Sequence, residues 1–300
     1  MLVGALGRRL HWLTSGSDRS LALLTANVLL PTLFFHRIVN SDQFDSLGDS
    51  WLPPAIGFGF TCLGFAVAAG VAWGLGGWIG LKDDSSRRAF ALCAGICNYG
   101  YIPLPLAEHF YPDAVVTLMV HNVGVDLAMW SVGVVIISGH FSKEWKRAVF
   151  SPPLLAVVAA LFVRQLGAVE RIPGPMMQMV ESLGQCAIPM GLVLSGAIML
   201  DYLRMAKWKE HWVSVFAAVG IRQLLLPGCM LLFAGLTSLA DSIDQVLLLQ
   251  AAMPAATFPI VMVRLFEQDT GTALRTVLGT SCLGVITIPA WLILGKALGI

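Results

Sequence analysis

Two prolines end the stretch CNYGYIPLP (residues 97–105), which lies inside a long apolar segment. A second apolar segment contains QAAMPAATFP (residues 250–259), which carries two more prolines. Proline has no backbone N–H to donate and its ring clashes with the preceding turn, so we expect the helix to open at both places. Bare backbone is tolerated at membrane depth only inside protein or beside a cavity. Interrupted spans at corresponding places in two halves of a chain point to the binding site of a transporter.

The composition is that of a membrane protein. The 300 residues are 57% hydrophobic and only 12% charged, with a mean hydropathy of +0.77, whereas a soluble domain is about 25% charged. The net charge of +1 and the absence of a basic run with interleaved aromatics argue against nucleic-acid binding. The six cysteines all lie in apolar stretches and form no CxxC pair, so we expect no metal, cofactor or disulfide framework.

Nine segments are long and apolar enough to cross a bilayer, which takes about 20 residues. They lie near residues 20–38, 54–80, 87–109, 113–139, 152–168, 176–200, 212–236, 243–266 and 272–297. The sequence therefore predicts an all-α polytopic membrane protein. The apolar segment Met1–Leu6 is too short to cross. We expect it to be the end of a largely missing first span, with about 15 further residues encoded upstream of Met1.

Basic residues predict the orientation of these spans. Lys and Arg number 14 at the connections on one side and 4 on the other, and only Arg222 lies in the middle of a span. The basic side is cytoplasmic, so the carboxyl terminus and the acidic connections Asp42–Asp49 and Asp241–Asp244 should lie outside. We expect a multi-pass protein of the plasma membrane, which in a bacterium is the inner membrane.

The two halves of the chain carry similar features in the same order. NVLLP (residues 27–31) matches QCAIP (residues 185–189), and Pro105 matches Pro259. A unit of five spans that repeats must appear inverted, because an odd number of crossings reverses the second copy. We therefore divide the chain into a first inverted repeat with a truncated first span (residues 1–139), a short cytoplasmic linker (residues 140–151) and a second inverted repeat (residues 152–300).

Several of these motifs resemble those of the auxin efflux carrier family, which includes the plant PIN carriers and bacterial relatives. The run LLLQAAMPAATFPIVMVRLFEQD (residues 247–269) resembles the second broken helix of that family, and CNYGYIPLPLAEHF (residues 97–110) resembles the first. NVLLPTLFFHRI, SPPLLAVVAALFVRQLG and IPMGLVLSGAIML are similar to its second, sixth and seventh spans. The resemblance covers the whole chain except the first span.

The resemblance implies a fold like that of sodium/proton antiporters or bile-acid symporters. Ten helices would form two inverted repeats, with spans one, two, six and seven as a scaffold and both broken helices crossing in a moving domain. Such carriers move organic anions by an elevator or rocking motion, often as homodimers. Three departures stand out: the missing first span, the short loop at residues 140–151, and Pro103 where bacterial relatives have glycine.

The crossing of the broken helices is the strongest candidate site. Amino ends of half-helices carry partial positive charge and free N–H groups that suit a carboxylate. Asn98 and Gln250 precede the breaks and can donate amide hydrogens. Alternatively, both amides only satisfy backbone groups that the prolines leave free. Pro105 and Pro259, supported by Pro103 and Pro254, are interpreted as the residues that shape the site.

Four ionisable residues are further candidates. His121 and Asp126 lie within the fifth span, about 140° apart around a helix at 100° per residue. Intramembrane charges usually face a cavity or a partner, so both are candidates for proton coupling. The alternatives are a permanently ionised Asp126 paired with Arg222 and a hydrogen-bonded neutral His121. Arg222 could instead attract the anion, and His36 at the end of its span is a candidate substrate contact or an interfacial residue.

The leading hypothesis is therefore a secondary carrier for a small organic anion such as an auxin-like acid, malate or malonate, acting in efflux. The expected partners are that anion, the lipid bilayer, a proton and a second copy of the chain. The nearest alternative is a sodium- or proton-coupled importer of the bile-acid symporter type. A membrane-embedded enzyme is a remote alternative, because the chain contains no G-x-x-x-x-G-K-[ST], H-E-x-x-H or G-x-S-x-G motif.

Overall fold

The structure is a computed structural model that describes residues 1–41, 51–139, 150–205, 212–237 and 239–298. Some sequence-based predictions fall outside these residues. They concern the acidic connection Asp42–Asp49, nearly all of the linker at residues 140–151, and basic residues on the predicted cytoplasmic side, including Lys207 and Lys209.

The described residues fold into helices that we number in chain order. They are α1 (Leu2–Arg9), α2 (Ser15–Val39), α3 (Leu52–Gly74), α4 (Asp84–Gly95), α5 (Pro103–Phe110), α6 (Pro112–Ser138), α7 (Pro152–Gln165), α8 (Gly174–Met205), α9 (Trp212–Leu236), α10 (Asp241–Ala252), α11 (Phe258–Leu265) and α12 (Thr270–Leu298). Six of them, α2, α3, α6, α8, α9 and α12, are long and apolar enough to cross a membrane. The predicted all-α polytopic membrane fold is confirmed.

The other three expected spans are shorter or interrupted helices. One is α7, an apolar helix of 14 residues. The other two are the pairs α4–α5 and α10–α11. The non-helical segment 96–102, which we call the first break, separates α4 from α5, and the segment 253–257, the second break, separates α10 from α11. The predicted opening of both proline-containing segments is therefore confirmed.

Two further prolines are accommodated by wide π-helical turns within continuous helices. In α2 the turn Thr25–Leu29 precedes Pro31, and in α9 the turn Ile221–Leu225 precedes Pro227. A proline cannot bond to the carbonyl four residues before it, which for Pro227 is the carbonyl of Gln223. That carbonyl accepts a hydrogen bond from Trp291 Nε1 at 3.2 Å, so α12 satisfies the backbone group that the proline frees.

Glycines bring α3 into direct backbone contact with α6 and α4. A Cβ on Gly124 of α6 would lie 1.8 Å from the carbonyl oxygen of Pro54, and one on Gly57 would lie 2.4 Å from the carbonyl oxygen of His121. In the middle of α3, a Cβ on Gly64 would lie 2.1 Å from the carbonyl oxygen of Gly95. Gly95 is the last residue of α4, so this close contact lies at the start of the first break.

The short amino-terminal helix α1 packs on α8. A Cβ on Gly4 would lie 1.8 Å from the carbonyl oxygen of Val193. The buried Arg8 forms ion pairs with Asp18 of α2 and Asp201 of α8, so charge as well as close packing holds α1 in place.

Candidate functional site

The two breaks cross each other and pair through their backbones. The N–H of Asn98 donates to the carbonyl oxygen of Pro254 at 2.8 Å, and the N–H of Ala256 donates to the carbonyl oxygen of Ile96 at 3.1 Å. The two segments run antiparallel at this point. Each break thus satisfies backbone groups of the other, which is how non-helical backbone can persist at membrane depth.

Helix α12 packs against the second break and is hydrogen-bonded to it. The N–H of Ala255 donates to Oγ1 of Thr280 at 3.2 Å, and a Cβ on Gly284 would lie 3.3 Å from the ring of Pro254. Thr280 is buried and its hydroxyl also donates to backbone carbonyls of α12. The crossing is therefore held by a third helix that the sequence did not implicate.

The prolines start the half-helices but also remove hydrogen-bond donors from them. Pro103 and Pro105 are the first and third residues of α5, and the N–H of Leu104 between them bonds to the carbonyl oxygen of Gly100 at 3.2 Å. Pro259 is the second residue of α11. The expectation of free N–H groups in the first turn is therefore wrong for α5, because proline has no N–H to offer.

Asn98 is the residue of the crossing with an unused amide. It is 6% exposed, and its side chain forms no hydrogen bond with any residue that the structure describes. Its amide atoms are not among the fully enclosed, unpaired polar atoms of the described residues, so the amide keeps some exposure at the crossing. This side chain is therefore free to bind a ligand that reaches the crossing.

Gln250 is fully buried and its amide is already bonded within the protein. Its Oε1 accepts from Sγ of Cys97 at 2.8 Å, and its Nε2 donates to Oδ1 of Asn122 at 3.3 Å. These contacts link the end of α10 to the first break and to α6. In this conformation Gln250 connects the elements around the crossing, and Asn122 engages one of the two hydrogens of its amide group.

Asn122 and Tyr99 belong to the same network and were not singled out from the sequence. Nδ2 of Asn122 donates to the carbonyl oxygen of Tyr99 at 2.7 Å, and the hydroxyl of Tyr99 donates to Oδ1 of Asp126 at 2.6 Å. Two signals could have found Asn122: it is a polar residue in an apolar span, and it lies four residues before Asp126, on the same helix face.

Arg222 lies in the π turn of α9 and is 1% exposed. Its guanidinium Nη2 lies 3.5 Å from the carbonyl oxygen of Gln250, near the carboxyl end of α10, where the helix dipole favours a cation. Arg222 forms no ion pair with Asp126, whose hydrogen-bond donor is Tyr99 instead. The predicted Arg222–Asp126 pair is therefore wrong for this conformation.

His121 lies on a different side of α6 from Asp126, in keeping with the spacing of the two residues. It is 3% exposed and lies against Gly57 of α3, where an added Cβ would be 3.2 Å from Nε2. Neither ring nitrogen meets hydrogen-bonding geometry with a described residue. The side chain of the neighbouring Asn122 does interact with the ring, so the interpretation of His121 as a neutral, hydrogen-bonded core residue stays a prediction.

His36 lies away from the crossing, in the last turn of α2. It lines a cavity of about 330 Å³ between α2, α5 and α8, together with Leu33, Arg37, Glu108, Glu181, Gly184, Gln185, Ile188 and Pro189. Nε2 of His36 is 3.9 Å from Glu181, and Arg37 bonds to Glu108 at 2.5 Å. None of the residues in the two breaks lines this cavity.

Six membrane-length apolar helices and two interrupted helices that cross define a multi-pass membrane protein. A sequence profile of the membrane transport protein family matches residues 136–292, just over half of the chain. The chain belongs to this family, which is that of the auxin efflux carriers. An uncharacterized transporter of Methanothermobacter thermautotrophicus is 24% identical over 97% of this chain and 93% of its own length. The protein is therefore a membrane transporter.

Proposed function

We propose that this protein is a secondary carrier that exports a small organic anion, with the crossing as its binding site. The observation that supports this most is the unused amide of Asn98 beside the backbone pairing of the two breaks. Its NH₂ group can donate two hydrogen bonds, which suit a carboxylate. Pro105, Pro254 and Pro259 shape the site by keeping the breaks open, and Gln250 holds the elements around it.

The charges near the crossing support coupling to protons. Asp126 is half-buried and has no cationic partner among the described residues, so its ionised form would repel an approaching anion. Taking up a proton removes that repulsion. The buried His121 is a second group that can carry a proton within the bilayer. Arg222 adds a buried positive charge next to the backbone carbonyl of Gln250, and this charge favours binding of the anion.

Access to the crossing would alternate between the two membrane faces by relative motion of a scaffold and a moving domain. We assign α2, α7 and α8 to the scaffold and both broken helices to the moving part, in two inverted repeats (residues 1–139 and 152–300). Two contacts would then join these parts. Arg37 of α2 pairs with Glu108 of α5, and Arg264 of α11 lies 5.4 Å from the ring of Tyr202 of α8.

The cavity beside His36 is proposed as an entrance to the site, since α2 and α8 of the scaffold meet α5 there. The excess of basic residues on one side supports a plasma-membrane orientation with the carboxyl terminus outside. We further propose a homodimer. Cross-linking of the purified protein in lipid nanodiscs tests this, with a purely monomeric band as the contrary result.

A second candidate function is a cation-coupled importer of organic acids. It is favoured by the same half-buried carboxylate of Asp126, since a carboxylate inside the bilayer can take up a cation as well as a proton. The two candidates share a fold and a site, and they differ in the coupling ion and the direction of net flux.

Transport measurements in proteoliposomes test these proposals together. Labelled mono- and dicarboxylates would be tested in both directions, with imposed gradients of protons or sodium. The proposed function predicts saturable flux of at least one organic anion that responds to a proton gradient. Flux that requires sodium would favour the importer. No flux of any organic anion above protein-free liposomes would contradict the proposal.

A further inference from the structure

Tyr99 is bonded to α6 at two separate points. Its hydroxyl donates to Oδ1 of Asp126 at 2.6 Å, and its backbone carbonyl accepts from Nδ2 of Asn122 at 2.7 Å. Asn122 and Asp126 are four residues apart and lie on the same face of α6. A single residue of the first break is therefore held at its backbone and at its side-chain tip by one helix.

The hydroxyl bond is the stronger of the two attachments while Asp126 is ionised. Hydrogen bonds to an ionised carboxylate are roughly twice as strong as bonds between neutral groups. No Lys, Arg or His within the described part of the chain competes for that carboxylate through an ion pair. Tyr99 is also half-buried, so the bond is only partly exposed to competing water.

We infer that Tyr99 is a positioning residue that fixes the first break on α6, and that Asp126 acts on the crossing through it. Tyr99 directly follows Asn98, whose N–H pairs with the second break. Holding Tyr99 at both ends therefore sets the position of the Asn98 amide. Asn122 extends the same link to the end of α10, just before the second break, because its Oδ1 accepts from Gln250.

The neighbouring Tyr101 offers a matched control. It belongs to the same break, but its hydroxyl forms no hydrogen bond with any described residue, and its ring packs against Gly191 of α8. Tyr99→Phe and Tyr101→Phe thus remove the same atom from the same segment. Only the first change removes a bond to α6.

The experiment measures the rate at which a maleimide labels Cys97 in the purified protein in nanodiscs. The other five cysteines are replaced by alanine, so that the signal reports only this residue of the first break. Cys97 is 5% exposed, so labelling requires the crossing to open. We expect Tyr99→Phe to label about tenfold faster, a change of about 1.4 kcal/mol in the opening equilibrium, and Tyr101→Phe to label at the parent rate.

A second variant separates positioning from a general loss of packing. Asp126→Asn keeps an acceptor for the hydroxyl but removes the charge, so labelling should rise by about threefold, less than for Tyr99→Phe. Combining both changes should add nothing to Tyr99→Phe alone, because they act on one bond. If Tyr99→Phe does not fold, an unchanged labelling rate in Asp126→Asn overturns the inference. Equal rates for Tyr99→Phe and Tyr101→Phe also overturn it.

The inference takes from the proposed function that the crossing is the binding site, but its test needs no transported compound. Failure of the labelling test would leave the organic-anion proposal standing. Failure to find a transported anion would leave the attachment of Tyr99 to α6 standing.

Discussion

Cys97 of the first break and Ala255 of the second face each other as an antiparallel pair. The backbone hydrogen bonds lie on either side of this pair and not within it. In such a non-hydrogen-bonded pair the Cα atoms are about 4.5 Å apart, closer than in a bonded pair. The two broken segments therefore touch at one defined point, although about half the chain separates them.

This pairing predicts a specific disulfide. With the other cysteines replaced, Ala255→Cys should form a bond with the native Cys97 on mild oxidation, since disulfides need Cα atoms about 4.4–6.8 Å apart. A protease site inserted within residues 140–149 would cut the chain between the two positions. After cleavage, the oxidised protein should run as one band on a denaturing gel, and reduction should separate it into two bands. Separation without reductant, as expected for the Cys97→Ala control, would show that the breaks do not meet.

The buried amide of Gln250 predicts a loss of stability when it is removed. Gln250→Ala would remove the partner of the Cys97 thiol and of Oδ1 of Asn122, and an unsatisfied buried group costs about 1–3 kcal/mol. The thermal unfolding midpoint in detergent should fall by several degrees. The matched control is Gln178→Ala on the exposed side of α8, which should leave the midpoint unchanged. Equal midpoints for the two variants would mean that the network carries no stability.

Asp126→Asn is predicted to fold normally, because Asp126 is not the partner of Arg222 in this structure. If Asp126 couples protons, the variant should lose the pH dependence of net transport and still exchange substrate across the membrane. Transport in proteoliposomes at several pH values measures this. A well-folded variant with the parent pH profile would rule out the coupling role.

The distribution of basic residues predicts the topology. Because Lys and Arg divide 14 to 4 between the two sides, the carboxyl terminus should lie outside the cytoplasm. A reporter that is active only in the cytoplasm, fused after Ile300, should stay silent. The same reporter placed within residues 140–149 should be active. The opposite pattern would reverse the assignment of every connection.

Local chemistry explains why much of the fold could be predicted from the sequence. The length and apolarity of the segments predict the spans, and the lack of an N–H in proline predicts that both broken segments open. Charge and polarity within apolar spans also identified Asp126, Arg222, Asn98 and Gln250 as residues that need an explanation. All of these signals depend on residues close together in the chain.

The partners of those polar residues depend on packing between distant segments, which the sequence does not display. Gln250 bonds to Asn122, 128 residues away, and Tyr99 bonds to Asp126, 27 residues away. The Arg222–Asp126 pair was the simplest way to neutralise two intramembrane charges. The structure instead places the guanidinium of Arg222, which lies in the π turn before Pro227, near the carboxyl end of α10, where the helix dipole favours a cation.

The most direct test of the central claim, that the crossing binds the transported anion, is the transport rate of Asn98→Ala. The comparison is Asn27→Ala, which removes the same amide from an exposed position on α2. A lost hydrogen bond to a charged group costs about 1.5–3 kcal/mol. Asn98→Ala should therefore insert into the membrane as well as the parent protein does but transport at least about tenfold more slowly. Asn27→Ala should match the parent protein in both insertion and transport. Parent kinetics for a well-inserted Asn98→Ala would place the binding site elsewhere and contradict the account.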